Sequence, residues 1–363
     1  MASSSVPQAV TAEGSRGGPV LSRSLVLLIG AACAVVAGAG IRAAAGIVAP
    51  IMLSLVLTIA VLPLFHWARA RGWPSWLATL ISLVATYAIV LVLVLGTALC
   101  ITKLIELLPQ YASDADEITE SAKSFLTSHG IDEKSASTTT DQLDPSKLVS
   151  ALTDLLSTFL ELLGNLFLLV TLLFFFCAAI PLLGPRFATL RRAKPEMGTS
   201  LVRFVQSTQR YLIMTALFGA IVAVLDTGAL WLLGVPLPLV WGLFSFITNF
   251  IPNIGFVIGV IPPALLALLD EGWGKAITVV LVYSGLNVVI QTFIQPHFVG
   301  ATVGISTELT FLSLVVWTFL LGALGALLAV PMTLLVRAIF LDPDRRNDWI
   351  SPLVSTTPDP PER

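Results

Sequence analysis

The sequence predicts an all-α integral membrane protein with about eight transmembrane segments, broken or re-entrant helices in its C-terminal half and an external helical hairpin. Three observations carry that fold class. Hydrophobic residues make up 56% of the 363 and charged residues only 12%, against about a quarter charged in a typical soluble domain. Apolar runs recur at the length a membrane helix needs, about 20 residues. Between the third and fourth runs the composition inverts, and residues 101–165 hold 11 of the 22 acidic residues.

The N-terminal segment, 1–23, is rich in Ser, Gly and Pro and reads as a disordered cytoplasmic extension. The first three membrane spans occupy 24–101: runs 24–41 and 47–65, joined tightly through Arg42–Gly46, and run 76–101. No cleavage pattern ends the first run, so it reads as a retained span and not a removed signal. "FHWARARGWPSW" (65–76) interrupts the apolar pattern with His66, Arg69 and Arg71.

The insertion at 102–157 predicts the external helical hairpin. Leu104, Leu107, Tyr111, Ala115, Ile118, Ala122 and Phe125 are spaced three or four apart, a heptad-like stripe that makes one helix seam seek another. "HGIDEKSASTTTDQL" (129–143) is a polar loop, and Asp144 then supplies an N-cap with Pro145 at the first helical position. The stripe packs either within the chain or against a second subunit.

The C-terminal membrane domain, 158–341, holds runs at about 158–180, 208–233, 239–269, 274–296 and 306–341, and 342–363 form a tail. Segment 196–210 mixes arginines with apolar residues, which predicts an elbow along the membrane surface. Lysines and arginines cluster before the first span and after the second, fourth and last. The positive-inside rule puts those clusters, and both termini, in the cytoplasm. Residues 239–269 either cross once or form a re-entrant hairpin with its tip at Pro252. The second case needs a further element, and 306–341 is long enough to hold one.

Helix breakers and amides then mark the candidate pathway. "NFIPNIG" (249–255) places Pro252 and Gly255 inside an apolar run, and Pro262–Pro263 follow. Proline removes a backbone donor and glycine tolerates geometries other residues avoid. Interrupted backbone at membrane depth is tolerated where protein or a water-filled cavity satisfies it, and discontinuous helices build the midplane sites of secondary transporters. Ser245, Asn249 and Asn253 share one face at four-residue spacing. Tyr283, Asn287, Gln291 and Gln295 make a second stripe at the same spacing. Each set either lines a pathway or repairs backbone and glues helices. Asp226, in "IVAVLDTGALW", is the clearest intramembrane acid. Such a group is a functional candidate by default, here for a coupling proton or cation. The alternative is a structural aspartate bonded to Thr227, backbone or an arginine. Glu308 and Asp270–Glu271 read as boundary charges, Arg42 as a loop or interface residue, and Arg337 as a snorkelling one.

Several chemistries are set aside. A net charge of −2 without a basic stripe argues against a nucleic-acid partner. Cys33, Cys100 and Cys177 lie far apart in apolar runs, as buried or lipid-facing thiols without metal spacing. No phosphate loop, H-E-x-x-H or G-x-S-x-G occurs, so ATP-driven transport, metalloprotease and serine-hydrolase readings lack their boxes. The expectation is a non-enzyme with no cofactor and no resident metal.

"LLGVPLPLVWGLFSFITNFIPNIGFVIGVIPPALLALL", "QPHFVGATVGIS" and "LGALGALLAVPMTLL" together resemble the autoinducer-2 exporter family of bacterial membrane proteins. The resemblance covers about 205–341 well, and the general layout extends it over most of the chain. Many members carry an aromatic residue where this chain has Asn253. The resemblance implies a transporter of the bacterial inner membrane, usually with eight spans, in contact with lipid and assembled as a homo-oligomer, a pentamer. It implies export of a small polar signalling molecule, or exchange of sodium or lithium for protons, and assigns no catalytic residue. The expected function is therefore a secondary transporter exporting a small polar solute. The alternatives are a sodium(lithium)/proton antiporter and an oligomeric membrane scaffold.

Overall fold

The computed structural model of the chain describes residues 23–112, 166–252, 254–295 and 306–342. Regular structure among them is helical throughout: α1 (Arg23–Ala43), α2 (Ala45–Ala70), α3 (Ser75–Ala112), α4 (Leu166–Ala193), α5 (Pro195–Leu232), α6 (Pro238–Thr248), α7 (Gly255–Glu271), α8 (Trp273–Val288), α9 (Thr307–Leu321) and α10 (Ala323–Val336). π-helical turns at Val289–Ile294 and Arg337–Leu341 extend α8 and α10.

Six of these stretches are long and apolar enough to cross a membrane: Ala45–Ala70, Ser75–Lys103, Leu166–Ala193, Pro195–Leu232, Trp273–Gln291 and Ala323–Leu341. Their outward faces are apolar as well, with Val35, Phe167, Trp231, Leu232 and Leu239 among the large exposed side chains. In water such a surface would drive association. Around helices whose backbone groups are satisfied internally it is what lipid requires. The chain is an all-α integral membrane protein.

Helix α3 has 38 residues, about 57 Å at 1.5 Å per residue, against a hydrocarbon core of about 30 Å. Its last turns run into the start of the acidic insertion. The remainder of that insertion, with its heptad stripe beyond Tyr111 and its cap at Asp144, lies outside the described residues. So do Asn253, residues 296–305 and both terminal segments.

One local expectation is corrected. Residues 196–210 form no separate elbow but are the first turns of the unbroken α5, and the reversal from α4 falls at Lys194 alone. Pro195 occupies the first helical turn, where its fixed φ starts a helix, and the next proline comes only at Pro236. Elsewhere, single glycines at positive φ make the sharp reversals. Gly272 (φ 84°, ψ −167°) turns α7 into α8 and Gly322 (φ 68°, ψ −148°) turns α9 into α10, a geometry essentially confined to glycine.

The broken segment is two antiparallel helices. α6 has 11 residues, about 16 Å, too short to cross. After the turn at 249–254 the chain doubles back: a Cβ on Gly255 would collide with the Thr248 carbonyl, and one on Gly259 would lie 3.7 Å from Ser245 Cα. Both ends of this hairpin meet at one place, because Lys275 Nζ, at the start of α8, reaches the Gly234 carbonyl at 3.4 Å, just after α5. That is the geometry of the re-entrant alternative. The further element it needs is present in 306–341, which Gly322 splits into α9 and α10.

Apolar packing fixes this arrangement around α5. Leu230 packs in one cluster with Trp241 of α6, Val260 and Leu266 of α7, and Val279 and Tyr283 of α8. Two turns deeper, Phe218 and Val222 meet Ile290 of the π-helical turn. The hairpin tip is anchored by Ile251, which packs against the α2–α9–α10 cluster of Val56, Trp317 and Leu328.

Candidate functional site

Polar side chains converge where α5, α6 and α8 meet behind that apolar packing. Close approach of α5 and α6 is a glycine effect: Gly242 faces Thr227, and a Cβ there would run into the threonine hydroxyl. The same register sets Ser245 opposite Asp226 and Asn249 opposite Gly219, one heptad apart on α5. Ser245 Oγ donates to Asp226 Oδ2 at 2.7 Å, and a Cβ on Gly219 would lie 3.6 Å from the Asn249 side chain.

Asp226 is fully buried, at 0% exposure. Asn287 Nδ2 faces both carboxylate oxygens at 3.4 Å and donates at 2.9 Å to the Tyr283 carbonyl one turn back. Asn287 Oδ1 in turn accepts from Gln291 Nε2 at 3.2 Å, and the same nitrogen donates to Asn249 Oδ1 at 3.0 Å. A continuous chain of hydrogen bonds therefore runs from Asp226 through Asn287 and Gln291 to Asn249, at the mouth of the helix break. Gln291 sits in the π-helical turn Val289–Ile294. Such turns inside α-helices are frequent at functional sites, and from within this one Gln291 reaches Asn249.

The predicted residues separate clearly. Asp226, Ser245, Asn249, Asn287 and Gln291 form one network, joining the intramembrane acid to both polar stripes. Tyr283 is buried beside it, at 1% exposure, with its hydroxyl facing Asp226 and Ser245. Gln295 lies one turn beyond Gln291 and is half-buried. Pro252 sits in the turn between α6 and α7, and Gly255 serves close packing at the start of α7. Asn253 lies outside the described residues.

Among the described residues Asp226 is held by Ser245 and Asn287 and is bonded to neither Thr227 nor an arginine. Thr227 donates to the Ala223 carbonyl at 2.7 Å, and no arginine pairs with Asp226 among the described residues. The other charges fall at segment ends. Lys275 pairs with Glu271 at 2.6 Å and Asp270 at 3.4 Å, and Arg42 stacks on Phe319. Arg337 does not merely snorkel: its Nε donates to Asp342 at 3.0 Å, where Arg203 also pairs at 3.8 Å.

Two contributors were not singled out from the sequence. Gly259 lies directly under the site, where a Cβ would be 2.8 Å from the Tyr283 hydroxyl and 3.0 Å from Thr248 Oγ1. The Gly255–Gly259 spacing in "GFVIG" is the small-residue signal for close helix approach and would have found it. Thr248, which donates to the Ser245 carbonyl at 3.2 Å, carries no sequence signal beyond its position beside Asn249. With one carboxylate and several neutral donors and acceptors, the cluster can bind one positive charge and hydrogen-bond a polar solute. Among the described residues no group of three or more His, Cys, Asp or Glu side chains gathers to hold a metal ion.

Comparison with known proteins agrees in class. The model of the AI-2E family transporter matches residues 25–342. The chain is 32% identical over 301 residues to the AI-2 transport protein TqsA of Escherichia coli K12, covering 82% of this chain and 86% of TqsA. It is 29% identical over 311 residues to YhhT of the same organism, covering 85% and 88%. It is also 29% identical over 308 residues to MT0215 of Mycobacterium tuberculosis, covering 78% and 80%.

Proposed function

The chain belongs to the AI-2E transporter family, and from that premise we propose that it is a secondary transporter exporting a small polar solute at the α6–α7 break, with Asp226 taking the coupling ion. The observation that carries the reading is the hydrogen-bonded chain Asp226–Asn287–Gln291–Asn249. It ties a buried carboxylate to amides beside an interrupted helix, the place where solute and ion meet in secondary transporters. A solute with hydroxyl or carbonyl groups exchanges hydrogen bonds with Asn249 and Gln291. A change of charge at Asp226 alters the same bonds, so the two events are thermodynamically linked and each changes the affinity for the other. In this reading the basic clusters and both termini face the cytoplasm.

Autoinducer-2 is the first solute to try, on the likeness to the AI-2 transport protein TqsA. The test is its uptake into everted membrane vesicles carrying the chain and energised by a pH gradient. The reading expects saturable, gradient-dependent accumulation that Gln291→Ala lowers. Sodium- or lithium-dependent proton movement, with no accumulation of any small polar solute tried, would replace it with the antiporter. Inert vesicles would return the chain to the scaffold alternative.

A further inference from the structure

We infer that the turn between α2 and α3, with the adjoining end of α4, binds the phosphate of an anionic membrane phospholipid. This surface lies on other elements than Asp226 and does not depend on which solute or ion the chain moves. The turn holds two guanidinium groups in place. Gly72 (φ 83°) closes it: Gly72 N–H donates to the Arg69 carbonyl and Trp73 N–H to the Ala68 carbonyl, the paired bonds that end a helix at a glycine. Arg69 Nη1 donates back to the Trp73 carbonyl at 2.7 Å. The Arg71 guanidinium stacks 3.9 Å over the Trp67 ring, which stands edge-on to Trp73 at 6.0 Å. Each arginine is thus positioned by a neutral partner, and neither charge is cancelled by it.

The surrounding helices leave those charges open. No Asp or Glu occurs in 45–105 or in 166–193, so α2, α4 and this end of α3 offer no counter-ion. The ion pairs among the described residues hold Arg203, Lys275 and Arg337, and none holds Arg69, Arg71 or Arg186. Arg186 supplies the third charge. Leu183 of α4 and Trp73 pack on one cluster of Phe65, Ala68, Ala78 and Ile180. Arg186 is exposed one turn beyond Leu183, on the same helix face. Guanidinium forks match the paired oxygens of a phosphate, and holding two of them in advance lowers the ordering cost of binding.

What lies beside the charges selects a lipid phosphate over a soluble one. Trp67 and Trp76 are both exposed here, and amphipathic indole rings of membrane proteins sit at the level of the headgroups. From Trp76, Leu80 and Val84 follow at four-residue spacing along α3, all exposed, and Leu182 is exposed on α4. That apolar track leads from the turn into the hydrocarbon region and suits an acyl chain whose phosphate rests on the arginines. A zwitterionic headgroup brings its own cation to the niche. Three arginines without a counter-ion therefore favour a headgroup of net negative charge.

Native mass spectrometry of the full-length chain released from detergent micelles tests this, with phosphatidylglycerol as the probe and phosphatidylcholine as its zwitterionic counterpart. The first phosphatidylglycerol should bind about tenfold more tightly than phosphatidylcholine. Arg69→Gln/Arg71→Gln/Arg186→Gln should remove that preference. Taking the same charge from the α4–α5 reversal, in Arg191→Gln/Arg192→Gln/Lys194→Gln, should leave it within about twofold. Arg186→Gln alone changes one exposed side chain outside the turn, so it reports even if the triple variant fails to fold, and it should weaken phosphatidylglycerol binding about threefold. An unchanged preference in the first triple variant overturns the inference. Equal losses in both triple variants also overturn it, leaving only the general attraction of a basic surface. An unmoved affinity in Arg186→Gln overturns the part given to α4. Displacement of phosphatidylglycerol by millimolar glycerol phosphate overturns the lipid assignment and leaves a site for soluble anions.

Discussion

Gly259→Ala adds one methyl group at the point where α7 passes under the Tyr283 hydroxyl. The new Cβ would lie 2.8 Å from that oxygen and 3.0 Å from Thr248 Oγ1, closer than a carbon–oxygen contact of about 3.4 Å would allow. Alanine in place of glycine within a helix gains about 0.5–1 kcal/mol. Overpacking a dense site costs about 1–3 kcal/mol. The clash has two oxygens to displace, one of them on a rigid aromatic ring, so the balance is a net loss of about 1–2 kcal/mol. Tyr283→Phe removes the nearer oxygen. In the double variant most of that loss should return, giving a favourable coupling of about 1 kcal/mol in a double-mutant cycle. Equilibrium unfolding of the four proteins in mixed micelles measures it. Equal stability of Gly259→Ala and wild type, or strictly additive effects of the two substitutions, would refute the placement of Tyr283 over Gly259.

Other outcomes follow from the same geometry. Asn287→Ala strips one donor from the buried carboxylate and frees Gln291, and should cost about 1–3 kcal/mol in the same unfolding assay. Leu237 is a non-glycine residue with positive φ (56°) ahead of Pro238; Leu237→Gly should relieve about 1 kcal/mol of backbone strain and raise the melting temperature. Lys275→Met removes the ion pairs to exposed Asp270 and Glu271 and the bond to Gly234. Its stability cost should be at most about 1 kcal/mol, but backbone amides at 234–235 and 273–276 should exchange hydrogen faster as the hairpin mouth loosens.

Most of the architecture was legible because bilayer physics is written in composition. Long apolar runs predict the crossing helices, and Pro252 with Gly255 marks where one must break. The four-residue spacing of Tyr283, Asn287 and Gln291 identifies a polar stripe. What spacing cannot say is which stripe meets which. That Ser245 opposes Asp226, and that Gln291 bridges Asn287 to Asn249, depends on the register of α5 against α6, set by Gly242 under Thr227 and Gly219 beside Asn249. The re-entrant path of 239–269 was equally undetermined, because one-pass and hairpin geometries use the same apolar letters. The bond from Lys275 to Gly234 separates them by bringing both ends of the segment to one place. The elbow expected at 196–210 failed for a related reason: arginines among apolar residues fit a surface helix and the end of a long crossing helix alike.

The most direct test compares two fluxes of one probe in proteoliposomes. Autoinducer-2 exchange at equal internal and external concentration needs the pathway but no net movement of the coupling ion, whereas accumulation driven by a pH gradient needs both. In Asp226→Asn the account predicts that exchange persists while gradient-driven accumulation disappears. Accumulation at the wild-type level in that variant would contradict the assignment of coupling to Asp226.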